Sequence, residues 1–325
     1  MSMTAVRPEQ AAPRASAWRA VTDPANLATW AAPIALVVLA IVFQVLNPTF
    51  LSLGNLESML TSSAILIVLA IGQTFVVATA GIDLSIASAM TLAAVIFGVM
   101  FDVGLLAAAG AAILTGALVG WVNGLLIARG RITDFIVTLG MLSAASGLAL
   151  IVADGKPKTI ISGPLLSLST GTVWIFGYTF LIALALAATA HVVLFHTRFG
   201  THVLATGGNS EAAAATGVST ARIKTAVYVI AGLTAGLAAI LLVARVGAAE
   251  PAANTSFLLN SVAAVVLGGV SLFGGRATIA GPVVGALLLT GLVNGLTLLG
   301  VSQFYQPLSV GVVVVAAAFL TRFGK

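Results

Sequence analysis

The sequence predicts an all-α membrane protein, a polytopic bundle of about ten transmembrane helices. Hydrophobic residues make up 60% of the 325 positions, and charged residues make up only 7%. A soluble domain carries roughly a quarter charged residues, so water cannot be the solvent for most of this surface. Apolar stretches of about 20 residues recur along the chain, and a helix of that length crosses the hydrocarbon core of a bilayer.

Residues 1–30 differ from the rest of the chain. They are polar, they include Arg7, Arg14 and Arg19, and they lack the apolar core of a signal peptide. We interpret them as a cytoplasmic amino-terminal tail, followed by one transmembrane domain over residues 31–325.

Ten segments after the tail have the length and composition of membrane spans. Their approximate bounds are 31–46, 56–80, 84–101, 104–128, 133–153, 174–195, 224–246, 256–273, 278–299 and 304–320. Glycine and polar residues interrupt the third and the eighth, and a count of eight spans is the alternative.

The basic residues predict the orientation of these spans. With ten spans and both termini in the cytoplasm, 11 of the 14 Lys and Arg residues fall on the cytoplasmic side. Only Lys156, Lys158 and Arg245 fall outside. Such an asymmetry follows the positive-inside rule, and it explains the net charge of +5 without a nucleic-acid partner.

The tetrapeptide VNGL occurs twice, at 122–125 and at 293–296. The copies lie near the ends of the fourth and ninth spans. These spans are five apart, an odd number, so they cross the membrane in opposite directions. This arrangement is that of a five-plus-five inverted repeat, which many transporters use.

The composition argues against catalysis and against metal binding. The chain has no cysteine and three histidines, and its few carboxylates fall at or near span ends. No intramembrane carboxylate is placed to bind a coupling ion. The sequence also lacks the phosphate-binding loop of an ATPase. We therefore expect a transporter that is not an enzyme and that receives its energy from another polypeptide.

A polar, alanine-rich segment interrupts the apolar pattern at residues 207–224, within a predicted cytoplasmic loop at 196–223. Asn209 or Ser210 can cap a short helix through the EAAAAT stretch, and Gly217 can end that helix in a left-handed conformation. Small side chains on such a helix would fit a groove on a partner. A plain helical connector is the alternative interpretation.

Three motifs occur in order: TAGIDLSIAS at 79–88, GNSEAAAATGVSTARIKTAVYVIAGLTAGLAA at 208–239, and LLNSVAAVVLGGVSLFGGRATIAGPVVGALL at 258–288. Together they resemble the permease subunits of bacterial ABC importers for monosaccharides. That ribose-type group lies in a superfamily that also contains branched-chain amino acid permeases. The resemblance covers nearly all of the chain after about residue 30.

The resemblance implies a multi-pass inner-membrane protein that pairs with a second permease chain, either as a homodimer or with a related sibling. It also implies an extracytoplasmic solute-binding protein and an ABC ATPase subunit that binds ATP and magnesium, so that this chain needs no cofactor. The short cytoplasmic helix is then the coupling helix. That role falls on Asn209, Glu211, Ala212, Ala213 and Gly217, and we expect Ala213→Arg to insert normally but to uncouple transport.

The family motifs themselves fall on seven residues: Gly81, Asp83, Ser85, Gly268, Gly269, Gly274 and Gly275. Ala80 and Ala87 stand where the family commonly has glycine, which narrows the backbone freedom there. For Asp83 we favour a cap of the third span, formed by Asp83 or Ser85, over a role in gating.

Four amides within the predicted spans are the candidates to line the translocation pathway: Gln73, Asn123, Asn260 and Asn294. Hydrogen bonding between helices explains them equally well.

The substrate that the resemblance implies is a monosaccharide or small polyol. Branched-chain amino acids or nucleosides are the alternative substrates within this class. An ATP-independent secondary carrier is the alternative from another class.

Overall fold

The computed structural model describes residues 24–252 and 255–322, and within them the fold is almost entirely helical. The helices are α1 (Pro24–Leu46), α2 (Leu53–Ala78), α3 (Ile86–Met100), α4 (Leu105–Ala128), α5 (Asp134–Val152), α6 (Gly163–Thr170), α7 (Tyr178–His196), α8 (Arg198–Gly208), α9 (Ser210–Ala215), α10 (Thr220–Val246), α11 (Thr255–Leu267), α12 (Ala280–Leu298) and α13 (Gln306–Arg322). Residues 1–23 of the predicted tail lie outside the described residues. Helix α1 begins at Pro24, before residue 31, where the first span was predicted to start.

Four two-residue strands form two small antiparallel pairs. They are β1 (Lys158–Thr159), β2 (Thr172–Val173), β3 (Phe176–Gly177) and β4 (Ala248–Ala249), with β1 pairing β4 and β2 pairing β3. The β2–β3 hairpin occupies the predicted start of the sixth span, so that α7 begins at Tyr178.

Seven helices of the described residues are long and apolar enough to cross a membrane, namely α2, α3 with its 3-10 extension to Val103, α4, α5, α7, α10 and α12. The other three predicted spans overlap shorter apolar stretches within α1, α11 and α13, over Ala32–Leu46, Thr255–Leu267 and Gln306–Val315. The all-α membrane bundle is thus confirmed, whereas the count of ten stays a prediction. Helix α11, which corresponds to the eighth predicted span, ends at Leu267 because Gly268 and Gly269 follow, and Gly269 has a φ of +78°.

Helix α2 forms the centre of the bundle. Within its most apolar stretch, 83% of the residues are buried inside the protein, compared with 22% in α5. It packs against α7, α10, α11 and α12. Most of the burial of α5 must therefore come from lipid or from another chain.

Glycines allow α4 and α10 to cross in backbone contact. A Cβ atom on Gly116 would overlap the carbonyl oxygen of Gly232, and a Cβ on Gly120 would overlap that of Tyr228. Without a hydrophobic driving force in lipid, such close approach supplies dispersion contacts that hold helices together.

Alternate connections between the spans meet at the same end of the bundle. At one end, which we call the inner end, Gly275 of the α11–α12 connection donates a backbone hydrogen bond to Ala78 at the end of α2 (3.0 Å). At the other end, β1 pairs with β4 and Lys158 forms an ion pair with Asp102 (2.6 Å). The inner end holds the connections that were predicted to be cytoplasmic.

The helix contacts also suit the predicted inverted repeat. Helices α4 and α10, which correspond to spans four and seven, pack together. A shift of five spans relates α4 to α12 and α10 to α2. Helices α12 and α2 also pack together. The repeat itself stays a prediction.

Candidate functional site

The predicted cytoplasmic loop contains two helices rather than one. Helix α8 begins directly after α7, where the Thr197 hydroxyl group accepts a hydrogen bond from the Gly200 backbone (3.2 Å). Its buried residues are spaced by three or four positions: Gly200, Val203, Thr206 and Gly207. This amphipathic spacing was the signal for α8 that the sequence analysis missed.

The second helix, α9, has the predicted caps. The side-chain oxygen of Asn209 accepts a hydrogen bond from the backbone of Ala212 (2.9 Å), and Gly217 adopts a left-handed φ of +89°. Glu211 lies in the first turn, where a negative charge suits the helix dipole.

The faces of α9 require one correction. Ala213 is only 5% exposed, so its methyl group packs within its own chain and cannot be offered to a partner. This burial does not support the expectation that Ala213→Arg would insert normally, and the effect of that substitution stays a prediction. The exposed surface of α9 consists instead of Ser210, Glu211, Ala212, Ala214 and Ala215.

Backbone contacts between glycines join α8 to the rest of the inner end. A Cβ atom on Gly207 would overlap the carbonyl oxygen of Ala78 and would lie 2.7 Å from the backbone nitrogen of Gly275. That nitrogen donates to the same Ala78 oxygen. Gly274, with a φ of +78°, approaches Ala80. We call this contact of residues 78–80, 207–208 and 274–275 the glycine seam.

Two further motif glycines also lie at close contacts. A Cβ atom on Gly268 would overlap the backbone of Gly281, between α11 and α12. One on Gly81 would lie 2.8 Å from a carboxylate oxygen of Asp134 and 3.1 Å from the hydroxyl group of Tyr228. The family motifs thus mark places where chain segments converge.

A polar cluster of Tyr228, Asp134 and Lys224 connects the start of α10 with the 79–85 loop. The Tyr228 hydroxyl group lies 2.9 Å from Asp134 Oδ2 and 3.2 Å from the Ile82 carbonyl oxygen, so these two acceptors share its proton. Lys224 Nζ lies 3.8 Å from Asp134 Oδ1. The four-residue spacing of Lys224 and Tyr228 places both on one helix face. Sequence reasoning missed this cluster.

Asp83 anchors a second polar cluster, which includes Ser85, Gln73 and Asn123. Asp83 Oδ1 accepts hydrogen bonds from the Ser85 backbone (2.8 Å) and hydroxyl group (2.7 Å). Ser85 is the N-cap of α3 but makes no side-chain cap bond, so Asp83 stabilises the turn before the helix rather than capping it directly. Burial raises the pKa of the Asp83 carboxyl group, although both hydrogen bonds from Ser85 oppose the rise.

The predicted pathway amides fall into three environments. Gln73 donates to the Asp83 carbonyl oxygen (3.2 Å) and Asn123 donates to the Ser85 hydroxyl group (2.8 Å), so both belong to the Asp83 cluster. Asn294 forms a mutual hydrogen-bonded pair with Asn55, at 2.9 and 3.0 Å. Asn260 lines a cavity.

The cavity at Asn260 has a volume of about 840 Å³ and lies between α11, α12 and α13. Its wall is mainly apolar, with a few polar side chains: Ser256, Asn260, Gln303 and Gln306. Among the residues that the structure describes, Asn260 has no side-chain hydrogen bond. An apolar cavity with a few polar groups is typical of a site for a small molecule.

The profile described as branched-chain amino acid transport system / permease component matches residues 55–320. The chain belongs to this permease family. All of the motifs and clusters described above lie within the matched residues.

Individual relatives are similar over most of their length. The ribose import permease protein of Escherichia coli K12 is 39% identical over 304 residues, which cover 88% of this chain and 91% of that protein. The ribose import permease protein of Bacillus subtilis is also 39% identical, over 89% and 91% of the two chains. The L-arabinose ABC transporter permease protein of Azospirillum brasilense is 35% identical, over 86% and 83%. No solved structure matches this permease.

Proposed function

We propose that this permease is the membrane-spanning subunit of an ATP-driven ABC importer for a monosaccharide or small polyol in the bacterial inner membrane. The observation that carries the proposal is the similarity to ribose and arabinose permeases over more than four fifths of each chain. ATP hydrolysis then resides on a partner ATPase, because this sequence has no phosphate-binding loop of its own. A solute-binding protein delivers the sugar to the outer end.

The exposed surface of α9 is the site that we assign to the ATPase. Ala212, Ala214 and Ala215 present only methyl groups to solvent, so a groove on the partner can approach the helix closely. The rigid attachment of α9 supports this role. It follows α8, which is held in the glycine seam, and it precedes α10, which carries Tyr228 and Lys224.

We place the second permease chain against α11 and α13. Helix α11 has 13 residues, which span roughly 20 Å at 1.5 Å per residue, less than the thickness of a bilayer core. Leu259 and Leu308 there are 69% and 67% exposed. The cavity around Asn260 lies between these helices, and its few polar groups would be costly to expose to lipid. A second copy would cover the apolar face and convert the cavity into part of a central pathway.

Reconstitution in proteoliposomes tests the function. The permease is combined with a candidate ABC ATPase and a candidate solute-binding protein from the same organism, and ATP-dependent uptake of labelled ribose, arabinose, leucine and a nucleoside is measured. Uptake of a sugar supports the proposal. Uptake of leucine or the nucleoside alone would favour the alternative substrate classes, and uptake without the ATPase would show a secondary carrier.

Ala212→Arg tests the assignment of α9. The long side chain points to solvent, so we expect normal insertion but loss of coupled uptake. Ala212→Ser is the matched control and should transport normally. Full uptake by Ala212→Arg would contradict the assignment.

The orientation is tested separately with single cysteines. The natural chain has none, so Ser210→Cys gives one unique thiol. We expect an impermeant maleimide to label it only after the cells are opened. Labelling from outside intact cells would reverse the orientation.

A further inference from the structure

A groove opens on the side of the bundle between α4, α7 and α10, and Phe199 of α8 contributes to its wall. Its volume is about 860 Å³, within the range of sites for small ligands. Most of the side chains that line it are apolar, among them Trp121, Val193 and Ile230, and the polar ones are two threonines and two arginines. The groove is distinct from the cavity around Asn260.

Two arginines lie at the opening of this groove and give it a positive charge. Arg129 ends α4 and Arg222 lies in the first turn of α10, and both line the groove. Both are exposed, and neither forms an ion pair or hydrogen bond with any residue that the structure describes. Lys224, on the same turn as Arg222, does pair with a carboxylate. The two guanidinium groups are therefore left for a ligand.

The groove has the depth of one membrane leaflet. Trp121 and Arg129 are eight residues apart on α4, and Arg222 and Ile230 are eight residues apart on α10, which corresponds to roughly 12 Å along each helix. Because the two helices are antiparallel, both arginines lie at the inner end and both apolar residues lie deeper. Half of a bilayer core measures about 15 Å.

We propose that this groove binds an anionic phospholipid of the cytoplasmic leaflet. One acyl chain lies along the apolar wall, and the phosphate group accepts hydrogen bonds from Arg129 and Arg222. Basic pockets between transmembrane helices on the cytoplasmic side are suited to such headgroups, and guanidinium groups can bind phosphate in a bidentate manner. The site rests on the predicted cytoplasmic orientation of the inner end. The lipid would contact α8 and the start of α10, the two helices that flank α9.

Native mass spectrometry of the full-length permease, purified in mild detergent, tests the site. We expect phosphatidylglycerol to remain bound to the natural chain, and we expect the double variant Arg129→Gln/Arg222→Gln to retain at least fivefold less. The matched control is Arg131→Gln/Arg198→Gln, which removes two exposed charges from the same end without touching the groove. This control should retain as much lipid as the natural chain.

A third variant tests the acyl-chain part of the site without changing charge. Ala226 lines the groove, and Ala226→Leu should fill it and lower retention by a similar factor. In thermal unfolding, added phosphatidylglycerol should raise the Tm of the natural chain more than phosphatidylethanolamine does, and inorganic phosphate should have no effect.

Four results would overturn the proposal. They are equal retention by the natural chain and both groove variants, an equal Tm shift from phosphatidylethanolamine, the same shift from inorganic phosphate, and efficient disulfide crosslinking of two Trp121→Cys chains through the groove. The last result would show a second copy of the chain as the occupant.

Discussion

The hydroxyl group of Tyr228 lies 2.9 Å from a carboxylate oxygen of Asp134, where segments 94 residues apart in sequence meet. Tyr228 lies two turns into α10, close after the proposed coupling helix, and its hydroxyl group also contacts the Ile82 carbonyl oxygen in the 79–85 loop. Any movement of α9 that tilts α10 must therefore disturb the loop that carries the GIDLS motif. This contact therefore joins the start of α10 to the 79–85 loop and to the start of α5.

Tyr228→Phe removes this contact and little else. The ring is fully buried, so its packing is kept, while Asp134 loses a hydrogen-bond donor. We expect a loss of about 1.5–3 kcal/mol of stability, the usual size for a hydrogen bond to a charged group. Thermal unfolding in detergent measures the change.

The control for Tyr228→Phe is Tyr305→Phe. Tyr305 is 62% exposed, so its substitution should leave the Tm unchanged. Equal Tm shifts in the two variants would show that the hydrogen bond of Tyr228 does not stabilise the protein.

The close crossing of α4 and α10 gives a second prediction. Gly116→Ala would push a methyl group into the backbone of Gly232, and overpacking of this kind costs about 1–3 kcal/mol. Gly110 lies on the same helix with no atom within 4 Å of a built Cβ. Gly110→Ala should therefore be neutral or slightly stabilising, because alanine favours helix. A similar Tm for the two variants would contradict the close backbone contact between α4 and α10 at Gly116.

Much of the fold could be predicted from the sequence because the bilayer imposes a length and a composition on every span. All ten predicted segments overlap helices, although α11, with 13 residues, is shorter than its predicted span. The Asn209 cap and the Gly217 turn could also be predicted, because each depends on a few adjacent residues. The segment before α7 was predicted to be helical because it is apolar, whereas it forms a small hairpin that follows Gly171 and ends at Gly177.

Contacts between distant segments could not be read from the sequence. Asp134 was recognised only as a residue at a span end, since nothing local indicates that Tyr228 lies opposite. Likewise, Ala213 and Ala212 are indistinguishable in a run of four alanines, and only the packing of α9 shows that one is buried and the other exposed. The pathway amides were chosen for polarity alone, and Asn294 in fact pairs with Asn55.

Ala80 and Ala87 stand where the family commonly has glycine, and substitution of each by glycine should change the free energy of unfolding in opposite directions. Ala80 has a φ of +58°, a conformation that costs a residue with a Cβ atom about 1–2 kcal/mol. Ala80→Gly should raise the free energy of unfolding by about 1 kcal/mol, after allowance for the greater freedom of the unfolded chain. Ala87 lies in the first turn of α3 and is buried, so Ala87→Gly should lower stability by about 0.5–1 kcal/mol. Chemical denaturation in detergent would reveal the signs, and a decrease in both variants would refute the strain at Ala80.

The glycine seam gives the last prediction, because two consecutive glycines at the end of α8 differ sharply in their surroundings. A methyl group on Gly207 would overlap the Ala78 carbonyl oxygen and break its hydrogen bond with Gly275, whereas one on Gly208 would meet only the Gly275 Cα at 3.8 Å. Gly207→Ala should therefore lower stability by about 1–3 kcal/mol, and Gly208→Ala should be tolerated. If the seam also transmits motion from α9, Gly207→Ala protein that is still assembled should hydrolyse ATP with reduced sugar uptake per ATP. Normal uptake per ATP together with a lowered Tm would limit the seam to a structural role.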